Sequence, residues 1–173
     1  MIDTHCHLCD RRFDRDRQSC RTTLAIAERH EGVFAALGIH PHQAGGNDAE
    51  RVPELSTLLG HDRAVAVGET GLDFFRDYAP RADQERWFRA QLALADEVGL
   101  PVVIHQRAAL ADTLAILEKM RPAAGGVLHC FDDGPEAAAR AQALGFKLGL
   151  GGVLTYGHAP LEEVARTAPE GML

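Results

Sequence analysis

The sequence predicts an α/β protein, a TIM-type (β/α) barrel built on parallel strands. Three observations lead there. Short apolar runs alternate with amphipathic stretches along the whole chain, the order that lays helices over the faces of a parallel sheet. Those apolar runs repeatedly end in histidine or a carboxylate, and chemistry gathered at the C-terminal ends of several strands marks a barrel mouth. An open nucleotide-binding sheet is disfavoured, because the first apolar run leads into Thr4-His5-Cys6-His7-Leu8 and not into a G-x-G-x-x-G turn.

Strands are predicted at Met1 to Thr4, Val33 to Ile39, Ala64 to Gly68, Pro101 to Ile104, Gly126 to Leu128 and Phe146 to Leu150, each ended by Gly, His or another polar residue. Between them, helical spacing predicts Ser19 to Arg29, Val52 to Leu59, Arg81 to Val98, Leu110 to Lys119, Pro135 to Leu144 and a final Leu161 to Thr167. The longest places Trp87, Phe88, Leu92, Leu94, Ala95 and Val98 at helical spacing with Arg86, Arg89, Asp96 and Glu97 between them, so its aromatics are read as core. Gly99-Leu100-Pro101 ends that helix ahead of a buried strand. No Ser/Gly linker or low-complexity tract divides the chain, and residues 1–173 are expected to form a single domain.

A chain of 173 residues with 46% hydrophobic and 25% charged side chains can bury a core and is too apolar for disorder. The net charge of −7 excludes a surface that attracts nucleic acid or anionic membrane everywhere, so a phosphate-bearing substrate must be held locally. Runs such as Val33 to Leu37 and Leu100 to Ile104 fall short of the roughly 20 residues that cross a bilayer, and no membrane partner is expected. Met1 is followed at once by Asp3, His5 and His7, without a basic start and apolar stretch, so the expected compartment is cytoplasmic. The four cysteines, at 6, 9, 20 and 130, are expected to be reduced, and Cys6 and Cys9 lack the second pair of a structural zinc module.

Candidate chemistry sits at the strand ends. In an extended segment His5 and His7 share a face and can meet one metal. That spacing alone is weak evidence, since His40-Pro41-His42 repeats it. The joint pattern is stronger: Glu69, His105 and His129 are each expected directly after a separate strand. A buried carboxylate among four imidazoles is costly unless a cation compensates its charge, and one carboxylate bridging two divalent ions satisfies that requirement.

With these residues in place the chain resembles the TatD-type metal-dependent hydrolases, a branch of the amidohydrolase-like barrels associated with DNase activity. The motifs are Ile2-Asp3-Thr4-His5-Cys6-His7-Leu8, Gly38-Ile39-His40-Pro41-His42, Gly68-Glu69-Thr70-Gly71-Leu72-Asp73, Pro101-Val102-Val103-Ile104-His105, Arg107, and His129-Cys130-Phe131, in family order. The resemblance implies a distorted barrel holding one or two divalent ions (Zn, Mg or Mn). His5, His7 and Glu69 would hold the first, with Glu69 bridging to His105 and His129 at the second. Glu69 is the expected catalytic residue, Arg107 is expected to contact a phosphate oxygen, and His42 and Asp73 are expected to contact substrate or support the ligands. The implied reaction is hydrolysis of phosphodiester bonds in DNA or another phosphodiester.

The departures from the family pattern are specific. The family carries Glu-Thr-Asp-Ser-Pro at its eighth strand, and residues 1–173 do not contain it. His7 and His40 are 33 positions apart, whereas two βα units need roughly 60 residues, so one helix-strand unit is expected to be missing around Arg17 to Cys20. Six strands of eight remain, with exposed edges that predict self-association. Asp132 and Asp133 follow Phe131 where a small residue and a glycine are usual, and are expected to sit at a helix N-terminus. Two functional readings stay open: a metal-dependent phosphodiesterase, and a non-catalytic remnant that binds metal without turnover.

Overall fold

The structure, a computed structural model, describes residues 18–45, 51–76 and 78–173. The expected first strand, with His5 and His7, lies outside the described residues. Five parallel strands follow: β1 (Ala35–Leu37), β2 (Ala64–Asp73), β3 (Val102–Arg107), β4 (Gly126–Phe131) and β5 (Phe146–Leu150). They lie side by side in chain order, every neighbouring pair parallel. Helices α1 (Gln18–Arg29), α2 (Arg51–Leu59), α3 (Arg81–Val98), α4 (Leu110–Leu117), α5 (Pro135–Ala143) and α6 (Ala159–Thr167) complete the α/β alternation, with 3₁₀ turns at Pro41–Gln43 and Gly152–Tyr156. This is a TIM-type barrel sheet that stays open among the described strands, with β1 at one edge and β5 at the other. Part of the β5 edge is covered, because the Leu148 amide donates to the Met172 carbonyl at 2.8 Å.

Four strand C-termini differ from the sequence reading: β1 stops at Leu37, two residues before the expected Ile39, and three other strands run on past their expected ends. Gly68, Ile104 and Leu128 are not the last residues of their strands: β2 runs on to Asp73, β3 to Arg107 and β4 to Phe131. Glu69, His105 and His129 therefore lie within strands and not after them. The physical reason is that a polar side chain does not end a strand whose neighbour continues to offer backbone partners. Here Gly71 pairs with His105, Leu72 with Gln106, Asp73 with Arg107, and His105 with His129.

The core forms where β2 to β5 meet the apolar stripes of the helices. Val67, Leu72, Val102, Ile104, Leu128 and Leu148 pack with Phe88 and Leu92 of α3 and with Leu114 and Leu117 of α4. Phe88 is fully buried, which at about 1.5–3 kcal/mol per large apolar side chain makes it a principal anchor of α3. A smaller cluster of Ile39, Ala44, Ala79 and Trp87 sits under the loops after β1 and β2. Helix α3 ends as expected at Gly99, which takes the left-handed conformation (φ 70°) that glycine adopts without a Cβ penalty.

Helix α3 also carries two fully buried glutamines, Gln84 and Gln91, seven positions and so about two turns apart on the sheet-facing side. Gln91 Oε1 accepts the Ile39 amide at 2.6 Å, while its Nε2 donates to the Ile39 carbonyl and to Thr70 Oγ1. Gln84 Oε1 accepts the Asp73 amide at 2.8 Å, and its Nε2 donates to the carbonyls of Asp73 and Ala79. Each glutamine acts as a substitute backbone strand at a point where the regular ladder stops. Together they fasten to one rigid helix the loop that carries His40 and the end of β2 that carries Asp73.

Candidate metal centre

Local backbone geometry brings Glu69 into position. In the β2–β3 ladder Gly68 pairs with Val103 and Thr70 with Ile104, so Glu69 is an extra residue on β2. Such a bulge re-aims one side chain out of the regular alternation. It requires close strands: a Cβ at Gly68 would stand 2.7 Å from the Val103 carbonyl oxygen, and one at Gly71 would overlap the His105 carbonyl oxygen. Glycine is the only residue type that fits both points, and it places β2 against the segment of β3 that carries His105.

The side chains then converge. His105 lies between two carboxylates, its Nδ1 3.0 Å from Glu69 Oε1 and its Nε2 3.1 Å from Asp73 Oδ2. Asp73 Oδ2 also meets His42 Nε2 at 2.7 Å. His40 accepts the His42 amide at Nδ1, 3.2 Å away, which leaves its Nε2 turned toward Glu69 Oε2 at 3.8 Å. The His40 ring stands edge-on to those of His42 and His105, with centroids 4.4 and 4.7 Å away.

These contacts decide protonation. Burial opposes ionisation of Glu69, but the hydrogen bond from His105 and the positive character of His40, His105 and His129 hold its pKa at about 2. Asp73 is likewise held at about 2, against its burial, by the Arg76 amide and by His42 and His105. Burial pushes His40 down to about 3 despite the pull of Glu69, with His105 and His42 adding to the depression. For His105, burial is outweighed by its two carboxylate partners and the pKa rises. Near neutral pH Glu69 and Asp73 are therefore both ionised and His40 is neutral, which gathers an excess of carboxylate charge in a poorly solvated place.

That excess fits a cation. Two triads, His40 with Glu69 and His105, and His42 with Asp73 and His105, each have ligand atoms within 4.8 Å of one another. Imidazole nitrogen with carboxylate oxygen is a donor set suited to zinc and neighbouring divalent ions.

The expected site residues fall as follows. Glu69 and His105 are in direct contact, and His42 and Asp73 complete their hydrogen-bonded chain. Asp73 is fully buried, so its carboxylate faces the two imidazoles and the amides of Phe75 and Arg76. His129 pairs in register with His105 and is close enough to lower the Glu69 pKa, but it joins neither triad, and its Nε2 lies 3.0 Å from Cys130 Sγ. Arg107 ends β3 exposed, with its guanidinium 4.2 Å from the Phe75 ring centroid. Asp132 and Asp133 do not cap α5. Gly134 is its N-cap, and Asp133 Oδ1 accepts the Gly134 amide one residue ahead of the helix. His5 and His7 lie outside the described residues.

Sequence reasoning gave His40 no role and overlooked Gln84 and Gln91. The signal for His40 was its place directly after an apolar strand, like the other candidates. For the glutamines it was their seven-residue spacing on the same side as Phe88.

Clustered histidines and carboxylates at the C-terminal ends of parallel barrel strands define a metal-dependent hydrolase of the barrel class. The chain belongs to the TatD DNase family, whose pattern, described as TatD related DNase, matches residues 14–173. It is 32% identical over 197 aligned positions to the uncharacterized metal-dependent hydrolase YabD of Bacillus subtilis (strain 168), covering 100% of this chain and 77% of YabD. It is 42% identical over 129 positions to the 3'-5' ssDNA/RNA exonuclease TatD of Cronobacter sakazakii (strain ATCC BAA-894), covering 74% of this chain and 49% of that protein. Among solved structures, the TatD homolog YJJV of Escherichia coli K12 superposes with a TM-score of 0.83 at 31% identity, covering 90% of this chain and 61% of YJJV. A TatD family hydrolase from Entamoeba histolytica shares the fold at a TM-score of 0.67 and 23% identity. The chain thus spans about three quarters of YabD and half of the Cronobacter protein. No helix among the described residues is long and apolar enough to cross a membrane.

Proposed function

We propose that this chain hydrolyses phosphodiester bonds in DNA with the help of one or two divalent ions, Zn, Mg or Mn. The observation that supports this most directly is the Glu69 carboxylate, ionised and hydrogen-bonded to His105, with His40 on its other side. Membership of a metal-dependent hydrolase family, and the nuclease name of the Cronobacter relative, point to the same reaction.

In this reading Glu69 is the shared ligand. His105 and His129 would complete one ion's set, and His5 and His7 the other's, with the geometry adding His40 as a further donor. A divalent ion bound there supplies Lewis-acid stabilisation of the charge on the phosphoryl oxygens. Asp73 holds His105 and His42 in fixed orientation, as carboxylates do behind ligating imidazoles. Arg107, at the open end of β3, offers a guanidinium to a phosphate oxygen.

The test is release of nucleotides from a single-stranded oligodeoxynucleotide with Mg²⁺, Mn²⁺ or Zn²⁺ added. Hydrolysis that EDTA abolishes and that falls at least about 100-fold in Glu69→Gln is expected. A protein that binds these ions but releases nothing would instead be the non-catalytic remnant.

A further inference from the structure

Arg21, Arg86 and Arg140 each form an ion pair with a carboxylate. Arg107 does not. Among the described residues its guanidinium has no acidic partner and lies instead over the Phe75 ring, 4.2 Å from the centroid. The distinction matters chemically. A carboxylate occupies the planar N–H donors of a guanidinium, often two at a time, whereas an aromatic face attracts the cation and leaves the in-plane donors open. Arg107 pairs in register with Asp73, in a chain of net charge −7. An arginine so placed needs a partner of the second kind if it is to take a phosphate oxygen.

Both members of the pair are held by the backbone that builds the candidate metal centre. Arg107 is two residues beyond His105 on β3, so the two side chains leave the strand on the same face. The Phe74 amide donates to the Arg107 carbonyl at 3.0 Å, which ties the loop after β2 to the end of β3. Asp73 Oδ1 then accepts the Phe75 amide at 3.0 Å, while Oδ2 of the same carboxylate meets His105 Nε2 at 3.1 Å. One carboxylate thus sets the candidate metal ligand with one oxygen and the Phe75 backbone with the other. The ring itself is 62% exposed, so core packing does not account for it. Arg76 lies farther from the same ring, at 5.8 Å, close to the limit of about 6 Å for such contacts.

We propose that Phe75 is a positioning residue whose ring holds the Arg107 guanidinium beside the histidine–carboxylate cluster, with its donors open to a phosphodiester oxygen. This rests on the phosphodiesterase reading, in which Arg107 takes a phosphate oxygen, and adds to it the side chain that keeps Arg107 in place without occupying its donors. Phe75 acts through Arg107 and does not touch the substrate.

The experiment follows the Arg107 Nε–Hε resonance by NMR in isotope-labelled protein with Mg²⁺ present, and identifies it by its loss in Arg107→Lys. Stacking on the ring should move it upfield, and Phe75→Leu should return it to the position of an unstacked arginine. Titration with dimethyl phosphate, a diester with no ring of its own, should shift the same resonance. Its Kd should be about 2- to 5-fold higher in Phe75→Leu, as expected for one exposed cation–π contact. Phe75→Tyr should restore the parent values, and Phe34→Leu, which removes another ring beneath an arginine, should change neither. In turnover of bis(p-nitrophenyl) phosphate with Mn²⁺, Phe75→Leu should raise KM by the same factor at constant kcat, and should add nothing in the Arg107→Ala background. Circular dichroism checks that each variant is folded, and Phe75→Met serves where Phe75→Leu is not. An Arg107 resonance indifferent to Phe75, or equal diester affinity in the parent and Phe75→Leu, would overturn the proposal. So would an effect of Phe75→Leu on KM that persists in Arg107→Ala, since the ring would then touch the substrate itself. The two readings fail separately. Ring-dependent binding of dimethyl phosphate without turnover sinks the phosphodiesterase reading alone, whereas turnover with a KM indifferent to Phe75 sinks the positioning role alone.

Discussion

Gln91 on α3 grips Ile39 at both backbone atoms, accepting its amide at 2.6 Å and donating to its carbonyl at 3.1 Å. Ile39 immediately precedes His40, so a helix side chain more than fifty residues away sets where that imidazole stands. Replacing Gln91 by Leu keeps the volume but leaves the Ile39 amide and carbonyl without their partner. Each buried group left unpaired costs about 1–3 kcal/mol. Gln91→Leu is expected to lower unfolding free energy by about 2–4 kcal/mol in urea titration. A loss below about 0.5 kcal/mol would show that the loop is held elsewhere.

Gly71 faces the His105 carbonyl with φ 131°, a backbone conformation that L side chains rarely adopt. Gly71→Ala adds both strain and overlap with a central strand. Strain alone costs about 1–3 kcal/mol, and the overlap adds to it. The variant is expected to unfold at a clearly lower temperature or to fail to accumulate. Gly45→Ala, where an added Cβ meets nothing within 4 Å, is the control and should change little.

Acid should destabilise the metal-free protein in two stages. His40 is pushed down to about 3 in the fold against an ordinary value of 6.5, so below about pH 6.5 the unfolded chain takes up a proton that the fold refuses. Glu69 and Asp73 titrate at about 2 against 4.5 and 3.8, so their contribution is complete above those ordinary values and is lost as pH falls toward 2. His105 has the opposite sign. Its raised pKa gives stability that is complete below about 6.5 and is lost as pH rises through the folded value. Urea midpoints of EDTA-treated protein between pH 3 and 9 should peak near neutrality, and Glu69→Gln should flatten the acid limb. Stability that increases from pH 6 to pH 4 would contradict this assignment.

Divalent metal should stabilise the fold by mass action, about 2.7 kcal/mol at a free concentration 100 times the Kd. Glu69 contacts His105 directly and faces His40, so Glu69→Ala should remove most of the rise in melting temperature. EDTA should reverse the rise in the parent protein. An undiminished shift in Glu69→Ala would place the ion elsewhere.

Asp73 has a different expected signature. Its carboxylate holds His105 Nε2 at 3.1 Å and His42 Nε2 at 2.7 Å, while His105 Nδ1 is the nitrogen that faces Glu69. Carboxylates behind a ligating histidine typically contribute about 10- to 100-fold in metal affinity. Asp73→Asn should weaken calorimetric binding of Zn²⁺ by that factor and shift the visible bands of a Co²⁺-loaded sample. Unchanged affinity and spectra would reduce Asp73 to a loop-building residue.

Local pattern alone determined much of this protein. The period of apolar residues located α3 from Arg81 to Val98 and its stop at Gly99, because burial of one helix stripe writes itself into neighbouring residues. Five of the expected strands are present, and their terminal histidines and Glu69 announced where the chemistry gathers. What the tertiary structure decided depends on contacts between distant segments. The ends of β2, β3 and β4 moved outward because neighbouring strands supply partners that no local window contains. Glu69 reaches His105 through a bulge that exists only in the pairing of β2 with β3. His40 joined the centre, and Gln84 and Gln91 became its fastenings, because a polar side chain shows its role only when the backbone it completes is folded against it.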